Sequence, residues 1–157
     1  MNDYAMIVML LALVYLTYAY VRRVESYDDP KLDWLKQVAG DLDIRAQNVS
    51  ISGSNQSFTE DKHRIYLCLR REDGTYYDDN MLVYVLAHEL AHYISKQNDP
   101  DHKTDEFKKN FAILLERAKS KGYWDPKLPL DYGYCPKTKA IAEANSYDGN
   151  RIVESRM

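Results

Sequence analysis

Two histidines and a glutamate are spaced so that they can hold a metal ion and move a proton beside it. They lie in the run His88-Glu89-Leu90-Ala91-His92. Residues four apart share one face of an α-helix, so both imidazoles can reach the same ion. Glu89 follows His88 directly and can take a proton from a water molecule that the metal activates. The run therefore predicts a metal-dependent hydrolytic site on a helix.

A zinc site with two imidazoles needs a third protein ligand and leaves the fourth position to water. His102 is the next histidine along the chain, and it follows the sequence Asn-Asp-Pro at 98–100, which stops a helix. The chain can turn back at this point and bring His102 to the same ion. Three carboxylates remain as alternatives for this position, namely Asp101, Asp105 and Glu106.

Two long helices are predicted to carry these groups. The site helix is expected from about Asn80 to Lys96, with Asp78 or Asp79 as its cap, because its first half is apolar and free of Gly and Pro. A second helix is expected over 105–121, since Thr104 is a good N-cap and apolar residues recur on one face.

The strand signals are weaker than the helix signals. Residues 64–69 alternate and are rich in β-formers, which predicts a strand. The Asp-Gly pair at 73–74 is a hairpin signal, so a second short strand is expected at 75–77. Residues 48–62 are rich in Ser, Asn and Gly, and they are interpreted as a loop with weak strand character around 49–51.

The N-terminus contains an uncharged, mostly apolar run at residues 4–21. As a helix this run would be about 27 Å long, close to the thickness of a bilayer core. Arg22 and Arg23 follow it, so the positive-inside rule places residues 22–157 in the cytoplasm. A cleaved signal peptide is disfavoured, because the run is long and no basic residue precedes it. A buried helix of the folded domain is the remaining alternative.

A short helix is predicted after this segment, within residues 24–47. Asp29 can cap it and Pro30 can occupy its first position, and apolar residues recur at helical spacing from Leu32 to Gly40. We expect this helix to pack on the domain or to lie near the membrane.

Charge and cysteine content restrict the classes of partner and compartment. The net charge is −3 at pH 7 and no basic stripe is evident, so nucleic-acid binding is not expected. Cys68 and Cys135 are too few to indicate an oxidised scaffold, and a reducing compartment would need no pair. Whether the two cysteines pair stays open at this point.

The order of segments around the metal motif resembles that of a known family. The segments are DKHRIYLCLR at 61–70, DNMLVYVL at 79–86, HELAH at 88–92, HKTDEF at 102–107, FAILL at 111–115, GY at 122–123 and YC at 134–135. This order is similar to that of the WLM/SprT-like zinc metallopeptidases, and most closely to the small versions carried by large DNA viruses. The likeness covers about residues 57–136.

The resemblance implies a zincin-like domain with a defined set of site residues. His88, His92 and His102 would be the Zn²⁺ ligands, and Glu89 would be the general base. It also places Cys135 near the end of the domain, close to the site.

We therefore expect an α+β fold with an N-terminal transmembrane helix followed by a small zincin-like domain. In that domain a short β-hairpin or sheet would pack on the metal-site helix and on the second long helix. The expected divisions are an anchor at 1–23, a juxtamembrane helix and linker at 24–47, the metallopeptidase domain at 48–136 and a C-terminal tail at 137–157.

The expected function is that of a membrane-anchored zinc metallopeptidase that hydrolyses peptide bonds of a polypeptide substrate. A hydroxyl group from the tail, either of Tyr132 or of Tyr134, could help to hold the oxyanion. The alternative is a virion structural protein that keeps the fold and tethers a membrane to capsid or other virion proteins. A protease acting on proteins crosslinked to DNA is least favoured, because of the acidic balance and the expected membrane anchor.

Overall fold

Helices and a small sheet alternate along the chain in the computed structural model, which describes residues 3–25, 29–131 and 133–135. The described elements are α1 (Asp3–Glu25), α2 (Pro30–Leu42), a short 3-10 helix (Ile44–Ala46), β1 (Ser50–Gly53), β2 (Phe58–Glu60), β3 (Arg64–Leu67), α3 (Asp79–Ile94) and α4 (Asp105–Ser120). The α+β class expected from the sequence is confirmed. The predicted tail at 137–157 and Tyr132 lie outside the described residues.

Three of the helices begin at capping residues that the sequence predicted. The side chains of Asp29, Asp78 and Thr104 each accept a backbone N–H from the first turn, at 2.9, 2.9 and 3.3 Å. Such a bond satisfies one of the N–H groups that have no partner inside a helix. The helix α4 is followed by Gly122 at φ +75°, a left-handed position that glycine adopts without strain.

The sheet has the strand order β1-β3-β2, with β1 parallel to the central β3 and β2 antiparallel to it. Two sequence predictions were wrong here. Residues 58–60 form a strand instead of a loop, because pairing with β3 stabilises a segment with little strand character of its own. The strand expected at 75–77 is reduced to a turn with a single bridge between Arg70 and Tyr76.

The helix α3 runs through the middle of the core. Every residue from Asn80 to Ala91 is buried, and the helix contacts the sheet, α2 and α4. A helix that is apolar on all sides gains most from being surrounded. The helices α2 and α4 instead bury one stripe each, which includes Leu35 and Val38 in α2 and Phe107 and Leu114 in α4.

The predicted transmembrane anchor at 1–23 is wrong. Within residues 3–25, 29–131 and 133–135, no helix combines the length and the apolarity needed to cross a bilayer. The strictly apolar run is limited to residues 5–14, which rise only about 15 Å against a bilayer core of about 30 Å. Tyr15, Thr17 and Tyr18 follow that run, and the Thr17 hydroxyl donates to Leu13 O at 2.9 Å. The localisation as a single-pass protein with residues 22–157 in the cytoplasm depended on this span and is withdrawn with it.

A disulfide joins Cys68, directly after β3, to Cys135, with 6.3 Å between their Cα atoms. The sequence had left this pairing open and favoured reduced thiols. The bond ties residues 133–135 to the end of the central strand. It closes a loop with a sequence separation of 67 residues.

We expect replacement of both cysteines by serine to lower the free energy of unfolding by about 2–4 kcal/mol, because the crosslink restricts the unfolded chain. Urea denaturation of the double variant and of the parent measures this difference. Reduction of the parent with a dithiol should give the same midpoint as the double variant. Alkylation of both thiols in the unreduced native parent would contradict the expectation.

Candidate metal centre

Three imidazoles converge at one end of α3. His88, His92 and His102 each offer a ring nitrogen, and the three nitrogens lie within 4.8 Å of one another. The Nε2 atoms of His92 and His102 are 2.7 Å apart. His88 is buried, whereas the other two are partly exposed. The structure thus brings together the three histidines that the sequence singled out.

The helix α3 places two of these rings by its own geometry. His88 and His92 are separated by one helical turn, and their ring centroids are 5.1 Å apart. The third ring comes from the turn that follows the helix. His102 adopts φ +55°, in the left-handed region, where histidine is found more often than most residues with a side chain.

Asp99 organises the turn that carries His102. Its carboxylate accepts hydrogen bonds from the backbone N–H groups of Lys103 and Thr104, at 3.1 and 2.7 Å, and from the Thr104 hydroxyl at 2.7 Å. Its backbone oxygen accepts the His102 N–H at 3.3 Å. Burial acts to raise the pKa of Asp99, but the Thr104 and Lys103 hydrogen bonds outweigh it and lower that pKa to about 2. The carboxylate is therefore charged and bound to the turn at neutral pH.

Three carboxylates were considered as alternative ligands. All three are among the described residues, and none of them belongs to the histidine group. Glu106 accepts the backbone N–H groups of Lys96 and Gln97 at 3.1 and 3.3 Å, so it caps the chain that leaves α3. Asp101 pairs with Lys103 at 3.1 Å on the surface. Asp105, in the first turn of α4, is exposed and is not part of the histidine group.

The aromatic ring of Phe107 packs close to all three imidazoles. The ring of Phe107 lies 5.2, 4.4 and 4.7 Å from the rings of His88, His92 and His102, measured between centroids. Burial, followed by the neighbouring imidazoles, lowers the pKa of His88 well below its usual value. Burial and His102 likewise lower the pKa of His92 to about 4. These two imidazoles are therefore neutral at pH 7, the form that binds a metal.

The donor set fits a zinc ion. Zinc binds imidazole nitrogens at about 2.0–2.1 Å in a tetrahedral arrangement, so two ligand nitrogens are about 3.4 Å apart. Three nitrogens already grouped within 4.8 Å need only small ring movements to meet that spacing. Three imidazoles with one position left open are the donor set of a catalytic site, whereas structural sites use four protein ligands.

Glu89 lines the same cleft as the three histidines and is almost completely buried, with 2% of its surface exposed. Burial raises the pKa of Glu89 to about 7, although a hydrogen bond from the Thr59 hydroxyl acts to lower it. A carboxyl group with a pKa near neutrality can both accept and return a proton at pH 7.

We expect Glu89→Gln to stabilise the metal-free protein at pH 8 but not at pH 4. The pKa of Glu89 is about 7 in the folded state, and in the unfolded chain it has the ordinary value of 4.5. As the pH rises, Glu89 therefore loses its proton in the unfolded chain before it does so in the folded protein. Stability is therefore lost between pH 4.5 and 7, by roughly 3 kcal/mol in total, and the neutral glutamine avoids this loss. Urea denaturation in the presence of a chelator measures the difference.

Glu116→Gln, at an exposed position of α4, is the matched control and should change stability little at either pH. Equal stability of Glu89→Gln and the parent at pH 8 would contradict the expected cost of burying the Glu89 charge.

A cleft of about 480 Å³ gives access to these groups. One side is formed by residues 57–59, at and before the start of β2, and the other by His88, Glu89 and His92 of α3. Asp61, Lys62 and residues from the turn at 97–102 complete the lining. A substrate in this cleft would therefore lie between the edge of the sheet and the histidines.

The hydroxyl group of Tyr134, which the sequence offered as an oxyanion donor, forms hydrogen bonds inside the fold. Its hydroxyl is buried, donates to the backbone oxygen of Cys68 at 2.8 Å and lies 2.7 Å from the Ser57 hydroxyl. Burial raises its pKa. These bonds use the hydroxyl to hold the chain end against the sheet. The role of Tyr132 or Tyr134 as an oxyanion donor stays a prediction.

Two residues near the site were missed by the sequence analysis. Thr59 donates to the Glu89 carboxylate, but it lies in a segment interpreted as a loop, so no signal drew attention to it. Asp99 stands directly before a proline, and an Asx turn at that position could have been anticipated. The hydrogen bonds that its carboxylate accepts from the backbone of Lys103 and Thr104 could not be anticipated from the sequence.

Comparison with known proteins finds viral relatives. The chain is 40% identical over 96 residues to protein 042R of invertebrate iridescent virus 3, covering 60% of this chain and 58% of that protein. It is 35% identical over 91 residues to protein 136R of invertebrate iridescent virus 6, covering 56% and 49%. It is 44% identical over 66 residues to protein R325 of Acanthamoeba polyphaga mimivirus, covering 41% and 32%.

These similarities do not indicate an activity for the chain, because all three relatives are described as uncharacterized. The chain spans about half the length of the first two. No family model matches the chain. No solved structure matches it either.

Proposed function

We propose that this chain is a zinc-dependent metallopeptidase that hydrolyses peptide bonds. One observation carries the proposal: three imidazole nitrogens lie within 4.8 Å of one another, next to a buried carboxylate, in a cleft open to a ligand. The resemblance of the sequence to WLM/SprT-like zinc metallopeptidases supports the same assignment.

His88, His92 and His102 would hold the zinc ion. When bound, zinc supplies a Lewis acid that polarises the scissile carbonyl and makes water a better nucleophile at neutral pH. Burial against Phe107 keeps His88 and His92 in the neutral form that binding requires. Asp99 keeps His102 in reach of the other two by holding the turn.

Glu89 moves the proton in this mechanism. Its carboxylate takes a proton from the attacking water and returns it to the amine that leaves as the peptide bond breaks. The same carboxyl group serves in both steps, since it is charged before it takes the proton from water and neutral until it returns that proton. The low exposure of Glu89 keeps bulk water from competing for the proton.

The shape of the cleft supports a polypeptide as the substrate. The strand β2 lies at the edge of the described sheet, and Phe58 and Thr59 of that strand line the cleft. An edge strand can form backbone hydrogen bonds with an extended peptide, which would then run alongside the histidines.

Metal removal and return tests the proposal. The full chain is expected to bind about one zinc ion, to cleave an unfolded test polypeptide, to lose cleavage after dialysis against a chelator and to regain it with added zinc. Zinc content by elemental analysis and cleavage by mass spectrometry measure both properties. Cleavage that persists in protein shown to be free of metal would contradict the proposal, as would one bound zinc with no cleavage of any unfolded polypeptide.

A further inference from the structure

Thr59 contacts the carboxyl group that the proposed reaction uses. Its hydroxyl lies 2.8 Å from Oε2 of Glu89 and 2.9 Å from the backbone oxygen of the same residue. Among the described residues no other hydrogen bond reaches the Glu89 side chain. The single hydroxyl proton of Thr59 therefore has two acceptors, both on Glu89, one on its backbone and one on its carboxylate.

The register of the sheet determines which residue of β2 reaches Glu89. Thr59 pairs with Ile65 and Phe58 pairs with Tyr66. Neighbouring strand residues point to opposite faces, so Thr59 shares the inner face with the buried Ile65. On the other face Phe58 stacks on Tyr66, with ring centroids 4.6 Å apart. A shift by one residue would remove the hydroxyl from α3.

We propose that Thr59 is the positioning residue of Glu89, holding Oε2 so that Oε1 is the oxygen that takes up and returns the proton. This inference rests on the proposed function, because it assigns proton transfer to Glu89. The hydroxyl has an acceptor in both states of the reaction. It donates to Oε2 when the carboxylate is charged, and the backbone oxygen of Glu89 remains available to it when Glu89 carries the proton.

A different result is expected if Thr59 has a structural role alone and does not position Glu89. Threonine favours strands, and its hydroxyl could serve only to satisfy a helix oxygen at the sheet. Valine has nearly the same shape and the same strand preference but no hydroxyl. Serine keeps the hydroxyl and loses the methyl group. The two variants therefore separate the hydrogen bond from the packing.

The kinetic test uses the full zinc-loaded chain and an unfolded test polypeptide. Thr59→Val is expected to lower kcat by about 10–100-fold while KM and zinc content stay close to those of the parent, as found when a group that orients a site residue is removed. Thr59→Ser is expected to recover most of kcat. Thr75→Val, on the exposed turn before α3, is the matched control for the exchange of threonine for valine.

A spectroscopic test on the metal-free protein does not depend on turnover. The infrared band of the Glu89 carboxyl group is assigned as the band lost in Glu89→Gln. It is expected to shift in Thr59→Val and to keep its position in Thr59→Ser, because the hydrogen bond to Oε2 is lost only in the first.

The outcomes distinguish the two proposals. In an active parent, an unshifted band in Thr59→Val, or an unchanged kcat, overturns the role of Thr59 and leaves the proposed function in place. A parent that binds zinc but cleaves no polypeptide overturns the proposed function and with it the positioning role. A loss of zinc in Thr59→Val as large as its loss of kcat also overturns positioning, since the effect would then act through the metal.

Discussion

Glu89→Gln is expected to keep zinc and to lose peptide hydrolysis, with kcat lowered by about 10²–10⁴-fold. Glutamine has nearly the same size as glutamate and can still accept the Thr59 hydrogen bond, but it cannot take a proton from water. The buried site tolerates the neutral side chain, because burial already favours the neutral form of Glu89. Zinc content and kcat, measured on the same preparation, give the two readings.

Glu116→Gln is the control for this exchange and should leave kcat unchanged, since Glu116 is exposed on α4, away from the cleft. A Glu89→Gln variant as active as the parent would show that another group removes the proton. A variant that lost zinc together with activity would place Glu89 among the groups that hold the metal.

His102→Ala is expected to weaken zinc binding by more than about 100-fold, because only two of the three imidazoles remain and two ligands hold zinc poorly. His88 and His92 lie on one stable helix, so the fold should persist and allow the measurement. Competition with a chelating indicator gives the affinity of each variant.

Two further variants are compared with His102→Ala for their effect on zinc affinity. His63→Ala removes an exposed histidine outside the group and should leave zinc affinity unchanged. Asp99→Ala removes the carboxylate that holds the His102 turn and should weaken binding by about 10–100-fold, as expected for a group that orients a ligand. Zinc affinity of His102→Ala equal to that of the parent would exclude His102 as the third ligand and would reopen the choice among the nearby carboxylates.

The starts of the helices, and the end of α4, were predictable because local interactions determine them. Asp29, Asp78 and Thr104 cap helices through bonds to residues two or three positions along the chain. The pair His88 and His92 needs only one helical turn to face one point. Such features depend on neighbouring residues, so a linear sequence contains them.

The N-terminal span and the state of the cysteines were not predictable in the same way. Uncharged residues at 4–21 satisfied a length rule, but the hydroxyl groups of Tyr15, Thr17 and Tyr18 break the apolar run in its second half. The Cys68–Cys135 pair joins positions with a separation of 67 residues, and composition says little about whether such distant thiols meet. Composition therefore predicts neither a membrane span, which depends on the length of the apolar run, nor a disulfide, which depends on contacts between distant residues.

By itself, the sequence determined which groups are available for chemistry and the helix that holds two of the imidazoles with Glu89 between them. Only the tertiary structure decided how His102 and Thr59 reach that helix. His102 arrives through a left-handed turn bound by Asp99, and Thr59 through a strand that forms only when β3 is beside it. The physical reason is that both approaches depend on hydrogen bonds between segments, whose free energy is gained only when the chain is folded.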